Sequence, residues 1–367
     1  MRLLGRIALI VFAVVLLLVA VIVVRTLTYR PPVTADGSAV RVAAPVAVDV
    51  AGAAQRLAAA IRIRTISHQD PAQDQPAEWD RLHAFLQAAY PAAHAAMRRE
   101  VVAGHTLVYT WAGTDPSLAP IVLMAHQDVV PVTPGTERDW KHAPFAGDVA
   151  EGAVWGRGAI DDKGSLITLF EGVETLAARG FRPQRTVILV SGHDEEVRGQ
   201  GARAAAALLK SRGIRAQFVL DEGLAVITDN PVTDGKLALI GTAEKGYATL
   251  VVTARAPGGH SSAPPKDAGG VVTLARAVTA IADRPFPMAF RGPGAEMLQV
   301  LAPEAPFPVR MAVANRWLFE PMLVSQVGAT PSGAALLHTT IAPTMLKGSP
   351  KENVLPQDAT AWINYRI

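Results

Sequence analysis

Four short stretches set histidine and carboxylates close together: His126-Gln127-Asp128, Asp161-Asp162, Asp194-Glu195-Glu196 and Asp221-Glu222. In the third, the run VILVSGHDEEVRGQG at 187–201, a β-branched apolar segment breaks at Ser191 and Gly192 before three consecutive acids arrive. Adjacent like charges repel and raise one another's pKa; a divalent cation relieves this directly, whereas a surface loop relies on spacing or on nearby Lys and Arg. Side chains alternate along a strand, so His126 and Asp128 project to one face, a spacing that suits a metal-bound imidazole oriented by a carboxylate. Each stretch also has a plain structural reading: a hydrogen-bonded surface pair for His126 and Asp128, a helix N-cap for Asp161 or Asp162, a solvated loop for 194–196. Their conjunction is much harder to explain that way. The chain has no cysteine, which removes disulfides, thiol nucleophiles and thiolate metal sites. What remains is a hard nitrogen and oxygen donor set, rich in carboxylate, suited to two divalent ions bridged by one acid.

The elements that must position these residues are legible as alternating patterns. Helical periodicity covers 49–63 and 78–89, followed by strand signals at 106–111, 121–125, 153–155, 186–191 and 217–220, with helices expected at 163–179 and 203–212. Such alternation predicts an α/β domain with a largely parallel sheet flanked by helices, and in open α/β sheets ligands sit at the carboxyl ends of strands. All four stretches follow an expected strand end. A crossover at 241–244 leads to a smaller α+β pattern: a strand from Gly246, a Gly/Pro loop carrying His260, and a helix at 268–282. The Pro-, Phe-, Met- and Trp-rich segment 285–322 reads equally well as a lid lining an apolar pocket or as core and membrane-proximal packing.

At 367 residues the chain is long enough for two domains, and half of its residues are hydrophobic. The net charge of +3 is small and the basic residues are scattered, so no nucleic-acid footprint is present. Residues 7–24 form an uninterrupted apolar run of 18 between Arg6 and Arg25, at the lower limit for spanning a bilayer. No small-residue cleavage site follows it, which favours an uncleaved anchor, outside the globular fold, over a secretory signal. The expected organisation is a membrane anchor at 1–30, a linker at 31–48, the first part of a catalytic domain at 49–242 and a lid or dimerisation domain at 243–367. Arg2 and Arg6 on one side and Arg25 and Arg30 on the other leave the charge asymmetry undecided. Because N-terminal anchors of enzymes usually export the long domain, the catalytic domain is expected outside the cytoplasm, on a single-pass anchor.

Taken together, HQDVVPV, WGRGAIDDKG, GHDEEVRGQGA, VLDEG and GGHSSAPP resemble the di-zinc metallopeptidase family of carboxypeptidase S, aminoacylase, carnosinase-type dipeptidases and N-fatty-acyl-amino acid hydrolases. The segments LAPEAPFPVRMAVANRWLF and KENVLPQDATAWINYRI are similar to the carboxypeptidase S and N-acyl-amino acid hydrolase branch. The resemblance runs from about residue 53 to the last residue, and five motifs in order make it specific. It implies that His126, Asp161 and Asp221 hold one zinc, with Glu222 the alternative to Asp221, and that Asp161 bridges to a second zinc held by Glu196. It further implies Glu195 as general base, Asp128 as the acid behind His126, and His260 as an oxyanion-stabilising residue in members that dimerise; the plain reading of His260 is a loop histidine.

The implied cofactor is Zn2+, two per complete active site, and the implied activity is hydrolysis of amide bonds in small peptides with a free C-terminus or in N-acyl amino acids. The implied partners are that substrate, the membrane through the N-terminal helix, and a second copy through the lid domain. One departure stands out. The family places its last zinc-binding histidine in a segment that returns after the smaller domain; the only histidine after His260 is His338, in an apolar, strand-like stretch that reads as structural. The chain is therefore expected to be C-terminally truncated, with the second zinc bound weakly or not at all. A non-catalytic zinc- or peptide-binding protein and a biosynthetic deacetylase are the rival readings; retention of both Asp128 and Glu195 disfavours the first, and the anchor the second.

Overall fold

Chain order begins with a single long helix, α1 (Arg2–Leu27), whose segment Leu4–Leu27 is the one stretch among the described residues long and apolar enough to cross a membrane. The computed structural model describes residues 2–31, 44–228, 233, 235–266 and 269–367, so most of the expected linker lies outside the described residues. The chain divides into two units: one extends through Gly223, and the other combines α1 with everything from Leu224 to Ile367. That division falls ahead of the crossover expected at 241–244.

The first unit is a three-layer α/β/α arrangement. Its helices are α2 (Val50–Ile61), α3 (Pro76–Ala89), α4 (Pro91–Ala96), α5 (Lys163–Ala178) and α6 (Gln200–Ser211). Its sheet runs β1–β2–β6–β3–β7, built from Arg98–Val102, Thr106–Trp111, Val187–Ser191, Ile121–Met124 and Phe218–Leu220 in that spatial order. Strand alternation sorts the core onto two faces. Leu107, Tyr109, Trp111 and Leu189 meet Leu82, Leu86, Leu166 and Phe170 from α3 and α5, while Val108, Ile188 and Val190 meet Ala205 of α6.

The sheet is mixed. The three strands β6, β3 and β7 run parallel and adjacent, with Met124 opposite Val190 and Leu123 opposite Leu220, whereas β1 and β2 are antiparallel additions. Three of the four chemical stretches thus leave neighbouring strand ends at the same level. The fourth does not come off this sheet. Among the described residues, strand β5 (Ala153–Trp155) pairs only with β4 (Asp148–Ala150), in a ribbon whose tight turn uses the positive φ angles of Glu151 and Gly152.

Two buried polar contacts tie the helical layer together. The Lys163 ammonium donates to the carbonyls of Ala60, at 3.0 Å, and Ile63, fixing the end of α2 to the start of α5. The Glu171 carboxylate of α5 accepts from Arg56 of α2, with Nη2 at 2.8 Å, and from the Tyr90 hydroxyl at 2.8 Å.

In the second unit β10 (Tyr247–Arg255), β14 (Asp358–Arg366) and β12 (Thr340–Lys347) form an antiparallel sheet, covered by α7 (Gly270–Ala282). Ribbons of β8 (Val226–Ile227) with β9 (Leu237–Ala238) and of β11 (Gly259–His260) with β13 (Val354–Leu355) complete its strands. The Pro-rich segment folds as α8 (Pro293–Leu301), α9 (Phe307–Ala314) and α10 (Arg316–Val327), followed by α11 (Pro331–Leu337), around a core of Phe290, Val313, Leu323 and Leu337. The strand-like stretch around His338 is split: α11 ends at Leu337 and β12 starts at Thr340, with the His338 ring bonded to the Phe286 carbonyl. Nor is the first helix separate from the fold. Tyr29 packs into that same core, and Thr26 of α1 is buried.

Glu171→Ala should cost about 2–3 kcal/mol in stability, because it strands a partly buried guanidinium and a buried phenol; the urea unfolding midpoint measures this, and an unchanged midpoint would show that water replaces the carboxylate at no cost.

Candidate metal centre

Strand β3 delivers His126 and Asp128 through a turn in which both are buried. The Asp128 carboxylate is the junction of the site. Its Oδ2 accepts the Ser67 hydroxyl at 2.7 Å and the Glu196 N–H at 3.1 Å, and its Oδ1 accepts the Glu195 N–H at 3.1 Å. One side chain thereby fixes the loop after β6 against the loop after β3. Burial alone would raise its pKa, but the hydrogen bonds from His126 and Ser67 outweigh burial and hold the carboxyl below its usual range.

The His126 ring is oriented from the same residue. Its Nδ1 lies 2.9 Å from the Asp128 carbonyl oxygen and 3.3 Å from Oδ1, so Nδ1–H donates inward and Nε2 points outward. Nε2 faces Asp161 Oδ1 at 2.9 Å, Glu222 Oε1 at 3.5 Å and Glu195 Oε2 at 4.0 Å. Ligand atoms of His126, Asp161 and Glu222 all lie within 4.8 Å of one another. Nε2 must therefore carry either a proton or a lone pair aimed at carboxylate oxygens. Burial disfavours the imidazolium, yet Asp128, Glu222 and Asp162 overcome this and push the pKa of His126 up to about 10. A divalent cation in place of that proton satisfies the same acceptors, so the donor set fits a metal ion.

Asp161 reaches this point by way of a loop that only glycine permits. Gly158 has φ of +84°, and a Cβ there would meet Val129 Cγ1 at 2.7 Å. The Asp161–Asp162 peptide is cis. Asp162 occupies the N-cap position of α5, but its carboxylate turns inward and accepts the His126 N–H at 3.0 Å, and burial raises its pKa to about 6.

The acids after β6 divide by direction. Glu195 and Glu196 stay half in solvent, and burial is the first cause raising both pKa values, with Asp128 and Asp161 adding to it. Asp194 turns away: its Oδ2 and Oδ1 accept the N–H groups of Gln200 and Gly201, at 3.0 and 2.8 Å, in the first turn of α6. Gly201 is required for this closeness, since a Cβ would lie 2.0 Å from Thr106 Oγ1 and 2.8 Å from His193 Nδ1.

Of the two acids after β7, the structure brings Glu222 to His126. Burial, followed by Asp162, Asp161 and Glu195, lifts the Glu222 carboxyl to about 7 against the opposing pull of His126. Asp221 is exposed and accepts its neighbour's N–H at 3.0 Å. His260 belongs to the second unit, where its Nδ1 sits 2.8 Å from Ser262 Oγ on the short ribbon β11.

Four features carry no signal in the sequence: Ser67, Gln127, the group of His83, His105 and Asp80, and the buried Lys163. Ser67 sits in a segment without a motif. Gln127, between the two recognised residues, receives His83 Nε2 at 2.8 Å and donates to the His105 and Ser191 carbonyls at 3.0 and 2.7 Å. His83, His105 and Asp80 form a second group with ligand atoms within 4.8 Å, and through Gln127 it braces the turn between His126 and Asp128. Lys163, read as an ordinary first helical residue, is fully buried, and burial pushes its pKa down to about 7.

A family model described as peptidase family M20/M25/M40 matches residues 122–318. The chain is 41% identical over 273 residues to the N-fatty-acyl-amino acid synthase/hydrolase of Homo sapiens, covering 74% of this chain and 54% of that protein. It is 36% identical over 321 residues to the probable carboxypeptidase S-like 2 of Dictyostelium discoideum, covering 86% and 61%. The chain thus spans little more than half the length of these curated relatives. Among solved structures, an M20 family metallo-carboxypeptidase of Sulfolobus solfataricus superposes with a TM-score of 0.57 at 18% identity, over 86% of this chain and 71% of that one. Human carnosine dipeptidase 1 gives 0.53 at 14% identity, over 86% and 69%. These likenesses show the fold.

Asp194→Ala should lower stability by about 1–2 kcal/mol through loss of the two N–H acceptors at the start of α6, measured by thermal unfolding. A variant as stable as the parent would remove Asp194 from the helix start.

Proposed function

The chain belongs to peptidase family M20/M25/M40, and we propose that it hydrolyses amide bonds in small peptides with a free carboxyl terminus or in N-acyl amino acids. The observation that carries this reading is the convergence of His126 Nε2, Asp161 and Glu222 within 4.8 Å, with Glu195 Oε2 4.0 Å from the same imidazole nitrogen. In this reading His126 and Asp161, with Glu222 favoured over Asp221, hold one zinc, and Asp161 together with Glu196 offers carboxylates to a second. When bound, the ions supply Lewis-acid polarisation of the scissile carbonyl and make a water acidic enough to attack near neutral pH.

The remaining chemistry falls to the chain's own groups. Glu195 takes the proton of the attacking water and delivers it to the leaving nitrogen. Its upward-shifted pKa suits this, because a proton carrier works best when its affinity lies close to the operating pH. Asp128 keeps the His126 ring in the orientation that presents Nε2, and its hold on the Glu195 N–H sets where the general base begins. His260 is assigned to the oxyanion within a dimer formed through the second unit. Helix α1 is assigned as a single-pass anchor on the strength of its 24-residue apolar segment. The arginines on its two sides, Arg2 and Arg6 against Arg25 and Arg30, do not set a direction, and the catalytic unit is assigned to the extracytoplasmic side because N-terminal anchors of enzymes usually export the long domain.

Glu195→Gln should reduce turnover of N-acyl amino acids or dipeptides on the order of 10³-fold while metal content, read by atomic emission, stays at the parent level. Retention of most activity would overturn the base assignment. In parallel, Glu222→Ala should lose metal and Asp221→Ala should keep it; the reverse pattern would exchange the two roles.

A further inference from the structure

The end of α1 is built into the second unit at a depth that constrains where the helices α9 and α10 can lie. Ile22, Thr26 and Tyr29 form an i, i+4, i+7 stripe that is wholly or partly buried, while the rest of the helix from Leu4 onward is exposed. The Asn315 side chain, itself fully buried between α9 and α10, donates to the Ile22 carbonyl at 3.2 Å and to Thr26 Oγ1 at 3.1 Å. Arg25 donates to the Ala314 carbonyl at 3.2 Å, and the Tyr29 hydroxyl to the Gln299 carbonyl at 3.1 Å. These contacts fix the helix to the α8–α10 group at four points.

Ile22 lies within the apolar run 7–24, two residues before its end. That is about 3 Å along a helix axis. The run itself is about 27 Å long at 1.5 Å per residue, close to the hydrocarbon thickness of a bilayer, with Arg25 and Arg30 at the headgroup level. A side chain that reaches the Ile22 carbonyl must therefore come down to the boundary between headgroups and acyl chains. The residues next to Asn315 come with it. Trp317 and Leu318, in the first turn of α10, are 58% and 41% exposed, and Met322, one turn on from Leu318, is 44% exposed. Phe307, at the start of α9, is 42% exposed. Exposed large apolar side chains beside an apolar helix have a natural occupant in lipid, and tryptophan favours that boundary.

We propose that the α9–α10 corner, through Trp317, Leu318, Met322 and Phe307, is a membrane-docking surface seated in the interfacial layer of the leaflet that α1 leaves. This rests on the reading of α1 as a membrane anchor. It holds the second unit at the bilayer rather than on a free tether, and puts an apolar surface of the protein in contact with the phase in which long-chain N-acyl amino acids reside.

The test is tryptophan quenching of the full chain reconstituted into phosphatidylcholine vesicles whose acyl chains are brominated near the glycerol end, compared with unbrominated vesicles. The chain has six tryptophans, so the contribution of Trp317 is read as the difference between the parent and Trp317→Phe, a change at an exposed position. The docking surface predicts that brominated lipid quenches the parent and that Trp317→Phe loses most of this quenching. Equal quenching of the two chains would overturn it, including the case in which a second copy of the protein covers the corner. Adding Phe12→Trp to Trp317→Phe separates the two readings. If the indole introduced at position 12 is quenched and Trp317 is not, the anchor stands and the docking surface falls; if neither is quenched, both fall.

Discussion

One buried carboxylate, Asp128, sets the relation between the strand ends on which the site depends. It takes the Ser67 hydroxyl, two backbone N–H groups from the loop after β6, and the flank of the His126 imidazole. A carboxylate removed from water costs several kcal/mol unless its acceptor positions are filled, and here they are filled by groups from three separate segments. The cost of burying this charge is thus offset only when those segments are assembled, which makes the site's geometry a property of the fold rather than of any loop. The same contacts aim Nε2 of His126 outward at Asp161 and Glu222.

The parts of this arrangement that follow sheet periodicity could be read directly. Alternation puts His126 and Asp128 on one face, the apolar runs before 126, 194 and 221 are the three parallel strands, and their adjacency places those acids side by side. What periodicity could not supply is the direction of each acid within its loop. Asp194 and Glu195 are neighbours, yet one turns back to the start of α6 and the other faces the imidazole, because Gly199 and Gly201 allow the chain to double back on Asp194. Asp221 and Glu222 pose the same problem at the next strand, resolved by the backbone after β7.

Residues without a pattern of their own were invisible for a different reason. Ser67 and Gln127 act only through partners far away in sequence, and a lysine at the start of a helix gives no sign that its ammonium will be buried against the end of α2. Domain edges suffered likewise. The apolar run at the N-terminus carries a strong composition signal, but that its last turn belongs to the core around Tyr29, Leu298 and Phe319 depends on a buried Asn315 almost 300 residues later. Long-range polar contacts of this sort leave no periodic trace.

In the proposed function the convergence around His126 holds a metal ion. Its most direct test is anomalous diffraction at the zinc edge from crystals grown with zinc. A zinc ion held there gives a peak about 2.0–2.2 Å from His126 Nε2 and from carboxylate oxygens of Asp161 and Glu222. With zinc in excess, no peak at that position, and an imidazole still bonded to Asp161 alone, would contradict it.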